Sequence, residues 1–234
     1  MLLSWPTGAL HLFTVPEGGV AMGRFWRYGQ LIGRRELRVF AVCMGPHLMS
    51  GLLVLSFHFS GDAMREILEL SRLTNFVGSL LLSAAILTMV PTLRQWQRWI
   101  WAIVPIGLIW VVSAHWPLLG EHSKAVLGAA NVAYLVFLLG LIWVYRTDRV
   151  LFSPLTIGGF WFLLVFVAVT IFTTRIATID LGLPSLSHAD ALHGLSESLL
   201  SITNLLVALG VYRQIQAWRK PALLISASDT AARS

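Results

Sequence analysis

Charge is scarce in this chain. Asp, Glu, Lys and Arg make up 12% of its 234 residues, about half of the roughly 25% found in ordinary soluble domains. With 56% hydrophobic residues, a soluble fold would expose large apolar patches, so the composition excludes that class and points to the membrane. Cysteine is nearly absent as well. Cys43 alone excludes a disulfide framework and a cysteine zinc site; inside a hydrophobic run it reads as a buried, inert thiol. The chain has no HExxH metal motif, no GxSxG elbow and no phosphate-cradling glycine loop. It also lacks an internal repeat of the inverted three-plus-three kind seen in many transporters. The first sixteen residues lack a basic n-region and contain Pro6 and Pro16, a poor fit to a signal peptide.

What the chain does have is long apolar runs: Val39–His58, Leu73–Pro91, Trp99–His115, Ala125–Tyr145, Val150–Thr173 and His193–Tyr212. Each is close to the ~20 residues that cross ~30 Å of hydrocarbon as a helix. A helix is required because a spanning segment must satisfy its own backbone hydrogen bonds. The expected fold class is all-α, a polytopic transmembrane helix bundle of six spans, with the N-terminal run as a candidate seventh. Residues 1–38 form a cytoplasmic or interfacial segment, 39–213 the membrane domain, and 214–234 a disordered cytoplasmic tail. A start at Met22 would remove residues 1–21. Pro46 is expected to break the first span and Pro105 the third, and Gly158–Gly159 to mark close helix packing.

The basic residues orient the bundle. All but four of the 17 Lys and Arg residues fall on one set of alternate loops; Arg65, Arg72, Lys124 and Arg175 occupy the other. The positive-inside rule then gives both termini in the cytoplasm of a bacterial-type inner (plasma) membrane. The net charge of +6 is explained by orientation, so no nucleic-acid partner is expected. The partners are the lipid bilayer and either further copies of the chain or other membrane subunits. Trp26, Trp96, Trp99, Trp116, Trp143 and Trp218 fall at expected boundaries, as belt tryptophans do. Asp62 to Arg72 has the charge spacing of a short amphipathic surface helix.

Polar residues gather on the outer side, where five of the seven histidines fall. In the sixth span Asp190, His193, Glu197, Ser201 and Asn204 recur at helical spacing and lie within an arc of about 80° at 100° per residue. One face is thus polar for about four turns, while Leu195, Leu199, Leu206 and Val207 suit lipid. A carboxylate inside a span costs several kcal/mol if it faces lipid, so Glu197 should face the bundle. Arg72 and Arg175 are candidate partners near the outer boundary, and His193 lies one turn above it. Asn75, Ser79 and Ser83 in the second span and His47, Ser50 and His58 in the first offer further polar stripes. Ser79, Ser83 and Asn131 read as helix–helix hydrogen bonders, and His115, His122 and His188 as interfacial or solvated.

Those residue types allow several chemistries. Histidines dominate, so the leading expectation is a cofactor or ligand site open to the outer side. Either haem b between His58 and His193 or a divalent metal on His58, His193 and Asp190 would serve, in a membrane redox protein or metalloenzyme. In that reading His193 ligates or accepts a proton, Glu197 orients it, and Asn75, Ser201 and Asn204 shape the pocket. An alternative makes Glu197 the titrating group of a small proton-coupled transporter or channel subunit. A third makes the chain an assembly or sensor protein whose polar stripe only docks helices.

Overall fold

A computed structural model describes residues 5–61, 63–116 and 121–231, with side chains placed over 7–10, 12–61, 63–116 and 121–219. Every long element is a helix: α1 (Trp5–Leu31), α2 (Arg35–Cys43), α3 (Gly45–Phe59), α4 (Arg65–Met89), α5 (Gln97–Ala114), α6 (Glu121–Thr147), α7 (Pro154–Arg175) and α8 (Asp190–Ala231). No strand occurs among the described residues. Among the described residues, six segments are long and apolar enough to cross a membrane: Arg35–Phe59, Arg65–Met89, Pro91–Ala114, Glu121–Thr147, Pro154–Asp180 and Asp190–Arg219. They correspond one to one with the apolar runs. The six boundary tryptophans are all exposed, as side chains at a headgroup belt must be.

Local chemistry explains several boundaries. Pro46 lacks an N–H and sits in the first turn of α3, so the first span divides at Met44, whose N–H contacts the carbonyls of both Phe40 and Ala41 at 3.2 Å. At the start of α7, the Ser153 Oγ accepts the Thr156 N–H at 3.1 Å and Pro154 occupies the first turn, a pairing that caps a helix and satisfies its orphan donors.

Pro105 behaves otherwise than expected. It lies inside a continuous α5; in a membrane helix one missing backbone bond is tolerated when local adjustment re-satisfies the freed carbonyl. The separate surface helix over Asp62 to Arg72 is also not found. Asp62 falls outside the described residues, and Arg65 to Arg72 are the first turns of α4 itself. At 1.5 Å per residue α4 is ~38 Å long, enough to carry its charged first turns beyond a ~30 Å core. Past the expected boundary at residue 213, α8 continues to Ala231, since Gln214 to Ala217 are compatible with helix.

The bundle closes as a ring. α4 packs on α3, α5 and α6, α7 packs on α8, and α8 packs on α1, which returns to α2 and α3. Small residues make the closest approaches. A methyl at Gly159 would meet the Val207 backbone nitrogen at 2.8 Å, and one at Gly140 would meet Ile86 at 2.7 Å. Leu206 and Val207 therefore face α7, not lipid; the lipid-facing side of α8 is Leu195, Ile202 and Leu205. Ser83 donates to the Ala133 carbonyl across α4 and α6, as expected of a helix-bonding serine.

The two ends of the bundle differ. At the arginine-rich end, Phe25, Phe40, Phe137, Phe152 and Phe160 pack ring to ring, with centroids 5.0 Å apart for Phe25–Phe40 and 5.1 Å for Phe137–Phe160. Tyr28 and Gln214 both donate to the Val150 carbonyl, at 2.7 and 3.1 Å. The other end carries His58, His193 and a link between α4 and α6 in which Glu69 accepts from Arg72 at 2.8 Å and from Ser123.

The N-terminal segment is the main surprise. α1 is not an interfacial appendage: it lies along α8 and runs parallel to it. Thr7 abuts Gly194, Glu17 meets Ser201, Arg24 donates to the Ala208 carbonyl at 2.8 Å, and the Tyr28 and Gln214 side chains share an acceptor. Buried Thr7, Thr14, Ala21, Phe25 and Tyr28 recur with the 3.5-residue period of a helix-packing stripe.

Candidate functional site at the histidine-bearing end

His58 lies in the last turn of α3 and His193 in the first turn of α8. The structure brings them together, ring centroids 5.1 Å apart and planes at 75°. Both are buried, at 9% and 7% exposure, and Glu197 one turn below His193 is equally buried at 9%. Glu197 therefore faces the protein, as the span-six periodicity requires. Its expected partner Arg72 is committed elsewhere, to Glu69 and Ser123, and Arg175 is exposed.

The α8 stripe that meets α1 is Gly194, Ser201, Asn204 and Ala208. Glu197 falls on it by spacing, three residues after Gly194 and four before Ser201. Ser201 Oγ contacts both carboxyl oxygens of Glu17, at 2.9 and 2.8 Å, and Asn204 Nδ2 donates to the Thr14 carbonyl at 3.1 Å. These two residues, expected to line a pocket floor, instead engage α1. Asp190 opens α8 and is half-buried, where its charge suits the positive end of the helix.

Asn75 lies on α4, which packs on α2, α3, α5 and α6, and falls beside the His47 ring on the α3–α4 contact. One turn along, the His47 ring packs against Gly78, where an added methyl would come within 2.7 Å of Cδ2. His47 thus belongs to the α3–α4 contact, and its ring faces Tyr134 at 6.1 Å. His115 and His122 pair with each other at 5.4 Å, with His115 set against Trp110. The Nδ1 of His188 contacts Ser185 Oγ at 2.9 Å.

Chemically, two imidazoles meeting edge to face suit a proton or one small cation between them, rather than the two opposite faces of a flat haem macrocycle. Among the described residues, no three His, Cys, Asp or Glu side chains converge in a metal-ligand geometry. The residue that sequence reasoning missed is Glu17. Its signal was the small and polar stripe of α1, hidden by the segment's modest hydropathy and its prolines.

Comparison with known families adds no activity. Residues 2–88 match a family described as a protein of unknown function (DUF2499). Residues 123–216 match another described as a protein of unknown function (DUF3593). The first segment takes in α1 to α4 and the second most of α6, all of α7 and α8 as far as residue 216, so the α1–α8 and α4–α6 contacts join the two matched segments. No curated protein and no solved structure matches the chain.

Proposed function

We propose that this chain is a small proton-coupled carrier or channel subunit of a bacterial-type plasma membrane, with Glu197 as its titrating carboxyl and His193 and His58 as the proton entry. The observation that carries this reading is the burial of Glu197 and His193 together inside a spanning helix, with His58 against the His193 ring. Intramembrane ionisable groups are costly and are kept for ion or proton pathways. An imidazole pair is a suitable entry because histidine exchanges protons near neutral pH.

The arginine-rich end is cytoplasmic in this reading, by the positive-inside rule, and the histidine-bearing end faces outward. The phenylalanine cluster then closes the cytoplasmic half in the conformation described. Further copies of the chain or other membrane subunits complete the transport path, since the ring of helices is filled with side chains at that end.

The test is reconstitution of the purified chain into vesicles carrying an internal pH indicator. An inward proton gradient should acidify the lumen, and Glu197→Gln should abolish that acidification. A wild-type rate in Glu197→Gln would remove the reading. A second reading, a small metal cation held by His58 and His193, is favoured by the 5.1 Å ring separation. Stoichiometric metal in purified protein, lost in His193→Ala, would support it over the proton reading.

A further inference from the structure

We infer that α1 crosses the membrane parallel to α8, entering from the outer face, and sets Glu17 at mid-depth as a second proton-binding carboxyl below Glu197. The proton chemistry rests on the function proposed above; the path of the helix does not.

The topology follows from register. Thr7 meets Gly194, Glu17 meets Ser201 and Arg24 meets Ala208, so residue numbers rise together on the two helices. α8 begins at the histidine-bearing end, and α1 therefore does too. The N-terminus then lies on the outer side, opposite to the cytoplasmic placement expected from the loops alone. The arginine partition is untouched, because Arg24 and Arg27 still lead into the cytoplasmic turn. The depth follows from rise: Ser201 lies ~16 Å along α8 from Asp190, about half of a ~30 Å core.

The chemistry follows from the partner. A serine hydroxyl has one proton and two lone pairs. It can donate to an ionised carboxylate or accept from a protonated one, so Ser201 serves Glu17 in either state without rearrangement. Glu17 takes no part in the ion pairs Arg34–Asp148, Arg72–Glu69 and Lys124–Glu121; its carboxyl oxygens meet the Ser201 hydroxyl.

The titratable groups around it are few. His193 and Glu197 stand above it on α8 and His58 on α3. Below it on α1, Arg24 is held by the Ala208 carbonyl and stacked 5.1 Å from the Tyr212 ring. At its own level α3 offers Leu48 against Gly18 and Gly51 against Val15, both apolar contacts. In this inference a proton released by Glu197 passes to Ser201, one turn further on along the same face of α8. The hydroxyl takes that proton and releases its own to the Glu17 carboxylate, so no charge is left on the serine.

Two measurements test this on the full chain. An epitope placed before Met1 should be cleaved by protease added outside intact cells. Protection there, with cleavage only after permeabilisation, overturns the inference and leaves the role of Glu197 standing. In vesicles, Glu17→Gln keeps a hydrogen-bonding partner for Ser201 and should still fold, checked by thermal unfolding in detergent. It should lose proton uptake and one carboxylic-acid carbonyl band in infrared spectra taken across an acid titration, with Glu17→Asp restoring part of both. Wild-type uptake and an unchanged band in Glu17→Gln overturn the inference. In that outcome, lost uptake in Glu197→Gln preserves the proposed function, and wild-type uptake in Glu197→Gln sinks both.

Discussion

His58 and His193 meet edge to face, ring centroids 5.1 Å apart, although one ends α3 and the other opens α8. Two groups that exchange a proton or share a cation act as a unit, and their removal is not additive. His58→Ala and His193→Ala should each depress proton uptake into vesicles, and the double variant should be little worse than the more damaged single. Losses that multiply would mean that the two rings act separately.

Gly159 and Gly158 make a paired test of the α7–α8 contact. A methyl at Gly159 would lie 2.8 Å from the Val207 backbone nitrogen, whereas Gly158 has nothing within 4 Å. Gly159→Ala should cost about 1–3 kcal/mol, because backbone cannot yield as a side chain can. Gly158→Ala should be neutral or stabilising by up to ~1 kcal/mol through helix propensity. Unfolding in mixed detergent reads both; equal behaviour would contradict the packing.

Much of this was legible in the sequence, and the physical reasons are specific. Long apolar runs made the six spans readable, because the bilayer sets a length that few other structures need. The inward face of Glu197 was readable from a 3.6-residue period and the cost of a charge in lipid. Gly159 was readable because adjacent glycines in a span have no better use. The partner of Ser201 and Asn204 was not readable. It lies at Thr14 and Glu17, 184 to 190 residues away in sequence, in a segment whose polar stripe lowers its hydropathy below that of its neighbours. Arg72 was assigned to Glu197 by depth alone, and the nearer Glu69 and Ser123 captured it.

That capture gives a third expectation. Arg72, Glu69 and Ser123 tie α4 to α6 in a setting that is mostly withdrawn from solvent, at 32% and 18% side-chain exposure for Arg72 and Glu69. Glu69→Ala leaves Ser123 without its acceptor and Arg72 with only the Ser123 hydroxyl, and should destabilise the protein by about 1–3 kcal/mol, as for other hydrogen bonds to charge. Lys124 and Glu121 also pair, but at 72% and 83% exposure. Glu121→Ala should leave the unfolding midpoint where it is, since exposed pairs contribute little. A larger effect for Glu121→Ala than for Glu69→Ala would reverse the assignment.

The central claim is that Glu197 takes up and releases a proton inside the membrane. Its most direct measurement compares wild type with Glu197→Gln in sealed vesicles, following lumenal pH after the bath is acidified, with unfolding profiles confirming that both are intact. The account predicts acidification by the wild type, faster as the bath is made more acid, and none above empty vesicles for Glu197→Gln. Equal acidification by the two proteins would contradict it.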